Sequence, residues 1–247
     1  MAYSENWYLE WFDSAYYHIL YQHRDEEEAA LFIRHLFEYL NIPKTLKVLD
    51  LACGKGRHAQ QIHRLGYDVL GVDLSIENIK QAQRLEERGM TFLHGDMRDL
   101  PFEAEFDLVL NLFTSFGYFE DDAHDQKTIN SMTSALKENG ILVIDYLNVV
   151  PTLRQLPETK LEKRGAMEFN IEKTIVGKFI RKHIQFEDKG EKYNYEEFVK
   201  CLQKERFEQM FAKAGLKLLH LFGDYTLKLY EKEHSPRLIL IAQKTPD

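Results

Sequence analysis

The chain has 247 residues, 44% of them hydrophobic, so it can bury the core of one large domain or of one domain with an insertion. Its 32 Lys and Arg face 40 Asp and Glu, and the resulting formal charge of −8 argues against broad, non-specific binding to nucleic-acid phosphates. The two cysteines, Cys53 and Cys201, are too few and too far apart for a disulfide framework or a four-ligand zinc site.

The N-terminal segment is rich in aromatic residues. Eight Tyr, Trp and Phe residues lie between Tyr3 and Tyr21, and both tryptophans are among them. The segment has neither a basic leader nor an uninterrupted apolar core, so we do not expect a signal peptide. No apolar run approaches the ~18 residues that a membrane span needs. We therefore expect a cytoplasmic protein with no membrane contact.

After this segment, predicted helices and strands alternate. Asp25 can cap a helix in which Phe32, Leu36 and Leu40 recur at helical spacing, and which ends near Asn41. Buried strands are predicted at 46–51, 67–73, 90–96, 106–113 and 141–147, and helices between them at 57–66, 75–89 and 121–140. This alternation predicts an α/β fold, a parallel sheet with helices on both faces.

From about residue 150 the pattern changes to one typical of antiparallel strands. Three segments, 167–176, 179–188 and 191–200, alternate with period two, and glycines lie where hairpin turns are expected. They predict a small antiparallel β insertion at 151–202. A helix at 204–215 and two closing strands then complete the α/β domain, which comprises residues 1–150 and 203–247.

The segment 50–58, Asp-Leu-Ala-Cys-Gly-Lys-Gly-Arg-His, joins the first predicted strand to a helix. Gly54 and Gly56 allow a tight turn and a close approach to a ligand, where a Cβ would collide. The helix N-terminus suits an anionic group. Asp73 ends the next strand, at the spacing expected of an acid that binds ribose hydroxyls. The motif predicts a nucleotide-cofactor site but leaves the cofactor open, because Gly54-x-Gly56-x-x-Ala59 also fits the dinucleotide fingerprint.

Two later motifs favour one of these cofactors over the other. Gly95-Asp96-Met97 follows the third strand, and Asn111-Leu112-Phe113 ends the fourth. With the glycine loop and Asp73 in this order, the chain resembles the class I S-adenosylmethionine-dependent methyltransferases over roughly residues 44–147 and 203–244. The resemblance implies a doubly wound, seven-stranded, mostly parallel sheet of the Rossmann-like methyltransferase type, with S-adenosylmethionine as the cofactor.

The resemblance also implies which residues hold the cofactor. The glycine loop suits its amino-acid end, Asp73 its ribose hydroxyls, and Asp96 its adenine amine. Leu74 and Met97 suit the adenine faces, and the strand end at Asn111 lies where the methionine part belongs. With a residue of the N-terminal segment added, the predicted set is Tyr21, Asp50, Ala52, Gly54, Gly56, Asp73, Leu74, Asp96, Met97 and Asn111.

In many small-molecule members of this family, N-terminal helices fold over the bound cofactor, so residues 1–43 are expected to form a helical lid. Aromatic faces attract cations such as a sulphonium, which makes Tyr21 a predicted contact, and Arg24 or a Tyr hydroxyl can meet the methionine carboxylate. The alternative is that these rings only pack the helix onto the core. Insertions in the family often cover the acceptor site or mediate dimerisation, so a homodimer is a further expectation.

The segment after the fourth strand bears on the methyl acceptor. Methyltransferases that act on nucleic-acid bases often carry Asn or Asp, then Pro-Pro and an aromatic residue there, whereas this chain has Asn111-Leu-Phe-Thr-Ser-Phe-Gly-Tyr118. The segment is similar to one in methyltransferases of small molecules, including those that methylate amino sugars and glycine. We therefore predict an enzyme that methylates an amine or hydroxyl of a small molecule.

No residue is predicted to be catalytic. Methyl transfer is an in-line displacement on an activated sulphonium, so positioning supplies much of the rate, and a base is needed only when the acceptor arrives protonated. Cys53 is not expected to act as a nucleophile, His58 is expected to be structural or solvated, and no metal-ligand spacing occurs. Candidate bases by position, none of them favoured, are His18, Asp145, Tyr146 and Asn148.

Three alternatives remain open at this point. The glycine spacing also permits a nicotinamide-dependent oxidoreductase, although no Tyr-x-x-x-Lys pair occurs in the chain. A non-catalytic cofactor-binding module is the second. The third is an RNA methyltransferase, because residues 160–182 hold seven Lys or Arg and three Glu; a solvated face of the insertion is the simpler explanation of that charge.

Overall fold

The computed structural model describes residues 7–21 and 26–246. Its helices are α1 (Trp7–Asp13), α2 (Ala15–Tyr21), α3 (Glu26–Leu40), α4 (Arg57–Arg64), α5 (Ile76–Ala82), α6 (Asp122–Ala135), α7 (Val149–Arg154) and α8 (Lys204–Lys213). Its strands are β1 (Lys47–Leu51), β2 (Asp68–Asp73), β3 (Met90–His94), β4 (Phe106–Asn111), β5 (Leu136–Leu147), β6 (Glu158–Arg164), β7 (Met167–Val176), β8 (Phe179–Asp188), β9 (Glu191–Lys200), β10 (Leu216–Phe222) and β11 (Arg237–Lys244).

Seven strands form the main sheet, in the order β10-β11-β5-β4-β1-β2-β3. The pairs along β3-β2-β1-β4-β5 are parallel, and β11 runs antiparallel to both of its neighbours. One hydrophobic cluster lies under α6 and α8, and another lies under α3, α4 and α5. The prediction of a doubly wound, mostly parallel sheet of seven strands is therefore confirmed.

The chain order of the strands reverses between β1 and β4, which pair directly in the middle of the sheet. In open α/β sheets, ligands bind outside the carboxyl ends of the strands at such a switch point. The loops that follow β1 and β4 both begin there, and the fold therefore directs attention to residues 52–56 and 112–118.

Several helix starts follow from local sequence. Ser75 is the N-cap of α5, and its hydroxyl accepts a hydrogen bond of 3.0 Å from the Asn78 N–H. Asp121 caps α6 in the same way through the Ala123 N–H. Since α4 begins directly after Gly56, which has a φ of +83°, the glycine motif forms the predicted strand-to-helix turn.

Two predicted helices end earlier than expected. The helix predicted to reach Gly140 ends at Ala135, because Leu136 pairs with Phe106 and opens β5. The helix predicted to reach Gly89 ends at Ala82 and continues as a single 3₁₀ turn to Leu85. Reciprocal backbone hydrogen bonds between Glu87 and Met90 then form a turn that leads into β3.

The insertion contains an antiparallel sheet of four strands, β6-β7-β8-β9, which we call the meander. Three of these strands coincide with the predicted segments, and β6 was not predicted. The sequence of β6, Glu-Thr-Lys-Leu-Glu-Lys-Arg, has a single apolar residue, Leu161, whose exposed fraction is 55%. Because β6 buries no apolar row, its sequence lacks the alternation that marks a half-buried strand.

The helices α1 and α2 pack against one face of the meander, which we call its inner face. This face carries the row Ile171–Ile184–Tyr195 and, beside it, the row Lys173–Lys182–Glu197 on β7, β8 and β9. The buried Trp11 ring lies 4.7 Å from the ring of Tyr195. A third hydrophobic cluster fills this contact, so most of the aromatic N-terminal segment packs on the meander. In the described ranges, no helix combines the length and apolar composition of a membrane span.

Candidate functional site

A cavity of about 1290 Å³ opens at the carboxyl ends of β1, β2 and β4. The loops after these strands form its floor, and α1, α2 and the inner face of the meander, which pack on each other, contribute the rest of its lining. We call it the central cavity. Pockets for a single small ligand span roughly 300–1,000 Å³, so this one has room for two molecules side by side.

The two glycines of the motif have different structural tasks. Gly54 has a φ of +56°, and a Cβ built on it meets nothing within 4 Å, so the loop presents bare backbone to the central cavity. Gly56 does not line the cavity, and a Cβ there would lie 2.6 Å from a ring atom of Phe92 on β3. Ala52 also has a left-handed φ, of +60°, and lines the cavity.

Asp73 ties the glycine loop to the turn after β2. One carboxylate oxygen accepts a hydrogen bond of 2.8 Å from the Gly54 N–H, and the other accepts one of 2.8 Å from the Ser75 N–H. Burial raises the pKa of this carboxyl above its ordinary value, and those two N–H groups act in the opposite direction. Asp73 lines the central cavity, and each carboxylate oxygen can accept more than one hydrogen bond, which suits a pair of ribose hydroxyls.

Asp50 lies beneath the loop and does not line the cavity. It is 1% exposed, and its Oδ2 atom is buried with no hydrogen-bond partner among the described residues. Burial raises the pKa of its carboxyl to about 7. A backbone hydrogen bond from Ala59 of α4 acts in the opposite direction on this pKa, and in this arrangement Asp50 lies behind the cavity wall.

The adenine-side residues are divided between the cavity wall and its surroundings. Leu74 and Met97 line the central cavity. Asp96 does not, because its carboxylate faces Arg98, whose guanidinium donates at 2.6 and 3.0 Å. Although burial acts in the opposite direction, the Arg98 contacts lower the pKa of the Asp96 carboxyl overall.

Asn111 at the end of β4 is fully buried and also lies outside the cavity wall. Its amide nitrogen donates to the Leu51 carbonyl at 3.2 Å and to the Ser115 carbonyl at 3.1 Å. The side chain therefore holds together the ends of β1 and the loop after β4. The loop residues that line the cavity are Leu112, Phe113, Thr114, Ser115 and Tyr118.

The sequence did not reveal what shapes this loop. Phe113 and Thr114 have left-handed φ values of +65° and +63°, which are unfavourable for both residue types. Asp145 on β5 compensates: its carboxylate accepts from the Phe113 N–H at 2.8 Å and from Tyr225 at 3.0 Å, and pairs with Arg237 at 2.8 Å. Because Tyr225 and Arg237 are 80 and 92 residues from Asp145 in the chain, no local sequence pattern marks the cluster.

Three of the four candidate bases have structural partners. Asp145 is 1% exposed and engaged as described, the Tyr146 hydroxyl donates to the Lys200 carbonyl at 2.7 Å, and Asn148 caps α7. His18 of α2 differs, because it lines the central cavity and its Nε2 atom is buried without a partner in the described ranges. Burial and nearby Lys55 lower the pKa of His18 to about 4, so its imidazole is neutral at neutral pH.

Neither Cys53 nor His58 has the features of a reactive group. Burial raises the pKa of the Cys53 thiol well above its usual value and lowers the pKa of His58 to about 3. Both groups are therefore neutral at neutral pH. Across residues 7–21 and 26–246, no group of three or more His, Cys, Asp or Glu side chains is arranged to hold a metal ion.

The helices α1 and α2 line the central cavity, as the lid prediction expects, and their aromatic rings also pack on the rest of the protein, as the alternative expects. Tyr21 lines the central cavity, and its hydroxyl donates to Glu197 on the meander at 2.6 Å. Trp11 donates to the same carboxylate at 2.7 Å. Asp13, at the end of α1, accepts from the hydroxyl of Ser75, which joins the lid to the start of α5. Arg24 lies outside the described residues.

The predicted set is thus only partly brought together on one surface. The cavity wall contains Tyr21, Ala52, Gly54, Asp73, Leu74 and Met97, whereas Asp50, Gly56, Asp96 and Asn111 lie behind it. Residues of the wall that sequence reasoning missed are Arg237, Tyr225 and the charged side chains of the meander's inner face. Bare backbone at Gly54, the Asp73 carboxylate and the His18 Nε2 atom, which has no partner among the described residues, fit a ligand with ribose hydroxyls and an amino-acid end.

A sheet of this strand order, with a glycine loop at the switch point and an acid at the end of the neighbouring strand, defines the class I methyltransferase fold with its S-adenosylmethionine site. Residues 42–215 match a family model described as a methyltransferase domain. The chain belongs to this family of S-adenosylmethionine-dependent methyltransferases, and S-adenosylmethionine is its cofactor. This membership excludes the nicotinamide-dependent oxidoreductase that the glycine spacing left open.

Relatives agree with this assignment. A Bacillus subtilis protein named methyltransferase YqeM is 27% identical over 215 residues, which cover 83% of this chain and 87% of the relative. Glycine/sarcosine N-methyltransferase of Aphanothece halophytica is 30% identical over 150 residues, 58% of this chain and 55% of the relative. An S-adenosylmethionine-dependent methyltransferase from Clostridium acetobutylicum has the same fold, with a TM-score of 0.77, 20% identity, and coverage of 90% of this chain and 93% of that one.

Proposed function

We propose that this enzyme transfers a methyl group to an amine or hydroxyl of a small molecule bound in the central cavity. The observation that carries the proposal is that one cavity of about 1290 Å³ joins the Gly54–Asp73 wall to the lid and the inner face of the meander. A cofactor bound against Gly54 and Asp73 leaves the meander side of the cavity to an acceptor. The glycine/sarcosine N-methyltransferase relative supports an acceptor of this kind.

The proposed chemistry is mainly positional. When bound, the cofactor supplies a methyl group that is already activated on a sulphonium. The loop after β4 orients the two reactants, because Asp145 and Arg237 hold Phe113 and Thr114 in an unfavourable but fixed conformation. Trp7 of the lid, 5.3 Å from the ring of Tyr118, helps to keep water out of the same region.

An RNA acceptor receives less support from the same structure. All seven Lys and Arg residues of the segment 160–182 lie within 4.0 Å of a carboxylate oxygen. Lys160, Lys173 and Lys182 line the central cavity, which leaves Lys163 and Lys178 as the exposed cations outside it, and two contacts contribute little to the affinity for a phosphate backbone. The segment therefore does not form the clustered, uncompensated basic patch that RNA binding favours.

Transfer of a labelled methyl group tests the proposal. The purified enzyme is incubated with tritiated S-adenosylmethionine and either a panel of small amines and alcohols (glycine, sarcosine, amino sugars, catechols) or total RNA, while calorimetry measures cofactor binding. We expect saturable cofactor binding and label in a small molecule. Label in RNA alone, or cofactor binding with no transfer to any small acceptor, would contradict the proposal.

A further inference from the structure

We infer that the inner face of the meander binds an anionic group, a carboxylate or a phosphate, of the acceptor. The inference rests on the proposed function, because it assigns a substrate class to the acceptor side of the same cavity. Its structural basis is a row of charged side chains that crosses all four meander strands and faces the lid.

The row contains one charged residue from each strand. In the strand register, Glu158 of β6 lies opposite Lys173 of β7. Lys173 lies opposite Lys182 of β8, and Lys182 lies opposite Glu197 of β9. Two lysines are therefore direct cross-strand neighbours at its centre, where like charges destabilise a sheet. An anion bound between the two ammonium groups would relieve this repulsion, as a ligand does when it completes a site.

The neighbouring position adds to the positive charge. Lys160 lines the central cavity and lies 2.7 Å from Glu162, whose carboxylate also pairs with Arg164. Although burial acts in the opposite direction, these cations lower the pKa of the Glu162 carboxyl overall, so it stays ionised. Among the described residues of the meander, the charged side chains that line the cavity are three cations, Lys160, Lys173 and Lys182, and two carboxylates, Glu162 and Glu197. This side of the cavity therefore contributes more cations than carboxylates, in a protein whose formal charge is −8.

Partial burial strengthens the electrostatic effect of these side chains on a bound anion. The side chains of Lys182 and Glu197 are each 14% exposed, so water and salt screen them less than surface groups. The Glu197 carboxylate also accepts hydrogen bonds from Trp11 and Tyr21, which occupy part of its acceptor capacity. Lys173 has its carboxylate partner Glu158 at 2.7 Å, and one such partner does not exhaust the three donors of an ammonium.

The position of the row defines how an acceptor would lie. Lys173, Lys182 and Glu197 line the same cavity as Gly54 and Asp73 but belong to the meander and not to the main sheet. An acceptor whose anionic group contacts the lysines would direct its amine or hydroxyl towards the cofactor. Such a site selects acidic or zwitterionic small molecules over neutral amines and alcohols of the same size.

Anion binding to the purified protein tests the inference directly. Acetate and inorganic phosphate serve as separate probes of the two anion classes, at constant ionic strength, with and without saturating S-adenosylhomocysteine. Both tryptophans of the chain lie in α1, and Trp11 donates to Glu197, so tryptophan fluorescence reports on the row. We expect saturable binding of at least one anion, weakened about tenfold in Lys182→Met through loss of a charge-assisted contact.

Controls make the result specific. Lys182→Arg keeps the charge and is expected to retain binding, and Lys163→Met removes a lysine that is 73% exposed on the same sheet and is expected to have no effect. If circular dichroism shows that Lys182→Met is misfolded, Lys173→Gln replaces it with the same expectation. Equal anion affinity in wild type and a folded row variant, or no saturable binding of either anion, overturns the inference. Anion binding without S-adenosylhomocysteine binding supports it while contradicting the proposed function.

Discussion

At the scale of single residues, cofactor affinity is expected to depend most on Asp73. Its two oxygens already hold the Gly54 and Ser75 N–H groups, and in the proposed site they also accept the ribose hydroxyls. Replacing Asp73 by Ala removes two charge-assisted hydrogen bonds to the cofactor, each worth about 1.5–3 kcal/mol, so we expect a loss of at least about 100-fold in S-adenosylhomocysteine affinity by calorimetry.

Asp68→Ala is the matched control, because this aspartate lies at the other end of the same strand and is exposed. Asp73→Asn keeps one acceptor oxygen and is expected to fall between the two. If Asp73→Ala and Asp68→Ala bind the cofactor equally well, Asp73 has no role in the site.

His58 makes a prediction about acid stability. Burial lowers its pKa in the folded protein from 6.5 to about 3, so the unfolded chain takes up a proton more readily. The stability that the neutral imidazole permits is complete above pH 6.5 and is lost as the pH falls towards 3. We expect the free energy of unfolding of the wild type to decrease between pH 7 and pH 4, measured by urea denaturation. This decrease is expected to be about 3 kcal/mol larger than the decrease in His58→Asn. Parallel curves for the two proteins would show that His58 does not titrate abnormally.

The sequence predicts contacts between residues at the ends of neighbouring strands. It does not predict contacts between residues that are far apart in the chain and meet only in the folded structure. Gly54 follows β1 and Asp73 ends the adjacent parallel strand β2, so their positions in the chain predict that the two residues lie close together, as they do. The same reasoning expected Gly56 to admit a ligand, whereas the structure uses its missing Cβ to accommodate Phe92. The contact of Asp145 with Arg237 depends on the pairing of β5 with β11, which no local pattern encodes.

At the scale of elements, the ion pair between β5 and β11 holds the loop after β4. Arg237→Met leaves the Asp145 carboxylate 1% exposed without its cation. Breaking a buried pair on one side costs about 3–5 kcal/mol, so we expect a loss of this size in the free energy of unfolding by chemical denaturation. Methyl transfer is expected to fall as well, because Phe113 and Thr114 lose their support.

Arg154→Met provides the comparison, because Arg154 and its partner Glu233 are 60% and 45% exposed. An exposed pair is worth about 1 kcal/mol or less. A similar loss of stability in both variants would mean that burial does not set the strength of the Arg237 pair.

The strands that bury a row of apolar residues were the ones that the sequence predicted. The strands of the main sheet and β7, β8 and β9 show apolar runs or period-two alternation, and all were predicted. The missed strand β6 buries no apolar row, and its position is fixed by hydrogen bonding to β7. Helix ends were less predictable, because strand pairing can end a helix early. Leu136, for example, pairs with Phe106 of β4 and does not extend α6.

At the scale of the whole molecule, a buried lysine joins the meander to the α/β domain. Lys200, the last residue of β9, lies 2.5 Å from Asp125 and 2.8 Å from Asp122 of α6. The side chains of Lys200 and Asp125 are each 1% exposed. We expect Lys200→Met to lower the free energy of unfolding by about 3–5 kcal/mol, because it leaves a buried carboxylate unpaired.

The double variant Lys200→Met, Asp125→Leu distinguishes a buried charge from a loss of shape. Replacement of both partners by apolar groups is often close to neutral, so most of the stability is expected to return. Lys178→Met removes a lysine that is 49% exposed from the same Asp122, and is expected to change stability by about 1 kcal/mol or less. If the double variant is no more stable than Lys200→Met, the lysine acts through packing and not through its charge.

The relation between the lid, the meander and the main sheet was the part that the sequence could least define. Aromatic residues near the N-terminus predicted packing but not the surface on which they pack. In the structure, Trp11 and Tyr21 both reach Glu197, which is 186 and 176 residues away in the chain. The central cavity exists because these three parts meet, so its size and its charged wall followed from tertiary contacts.

A crystal structure of the complex with S-adenosylhomocysteine tests whether the central cavity holds the cofactor and the acceptor together. We expect both ribose hydroxyls to lie within hydrogen-bond distance of Asp73, and the sulfur atom to face free volume bounded by Lys173, Lys182 and Glu197 on the meander. A ribose bound away from Asp73, or a sulfur atom enclosed by protein with no space for an acceptor beside it, would contradict this arrangement of the site.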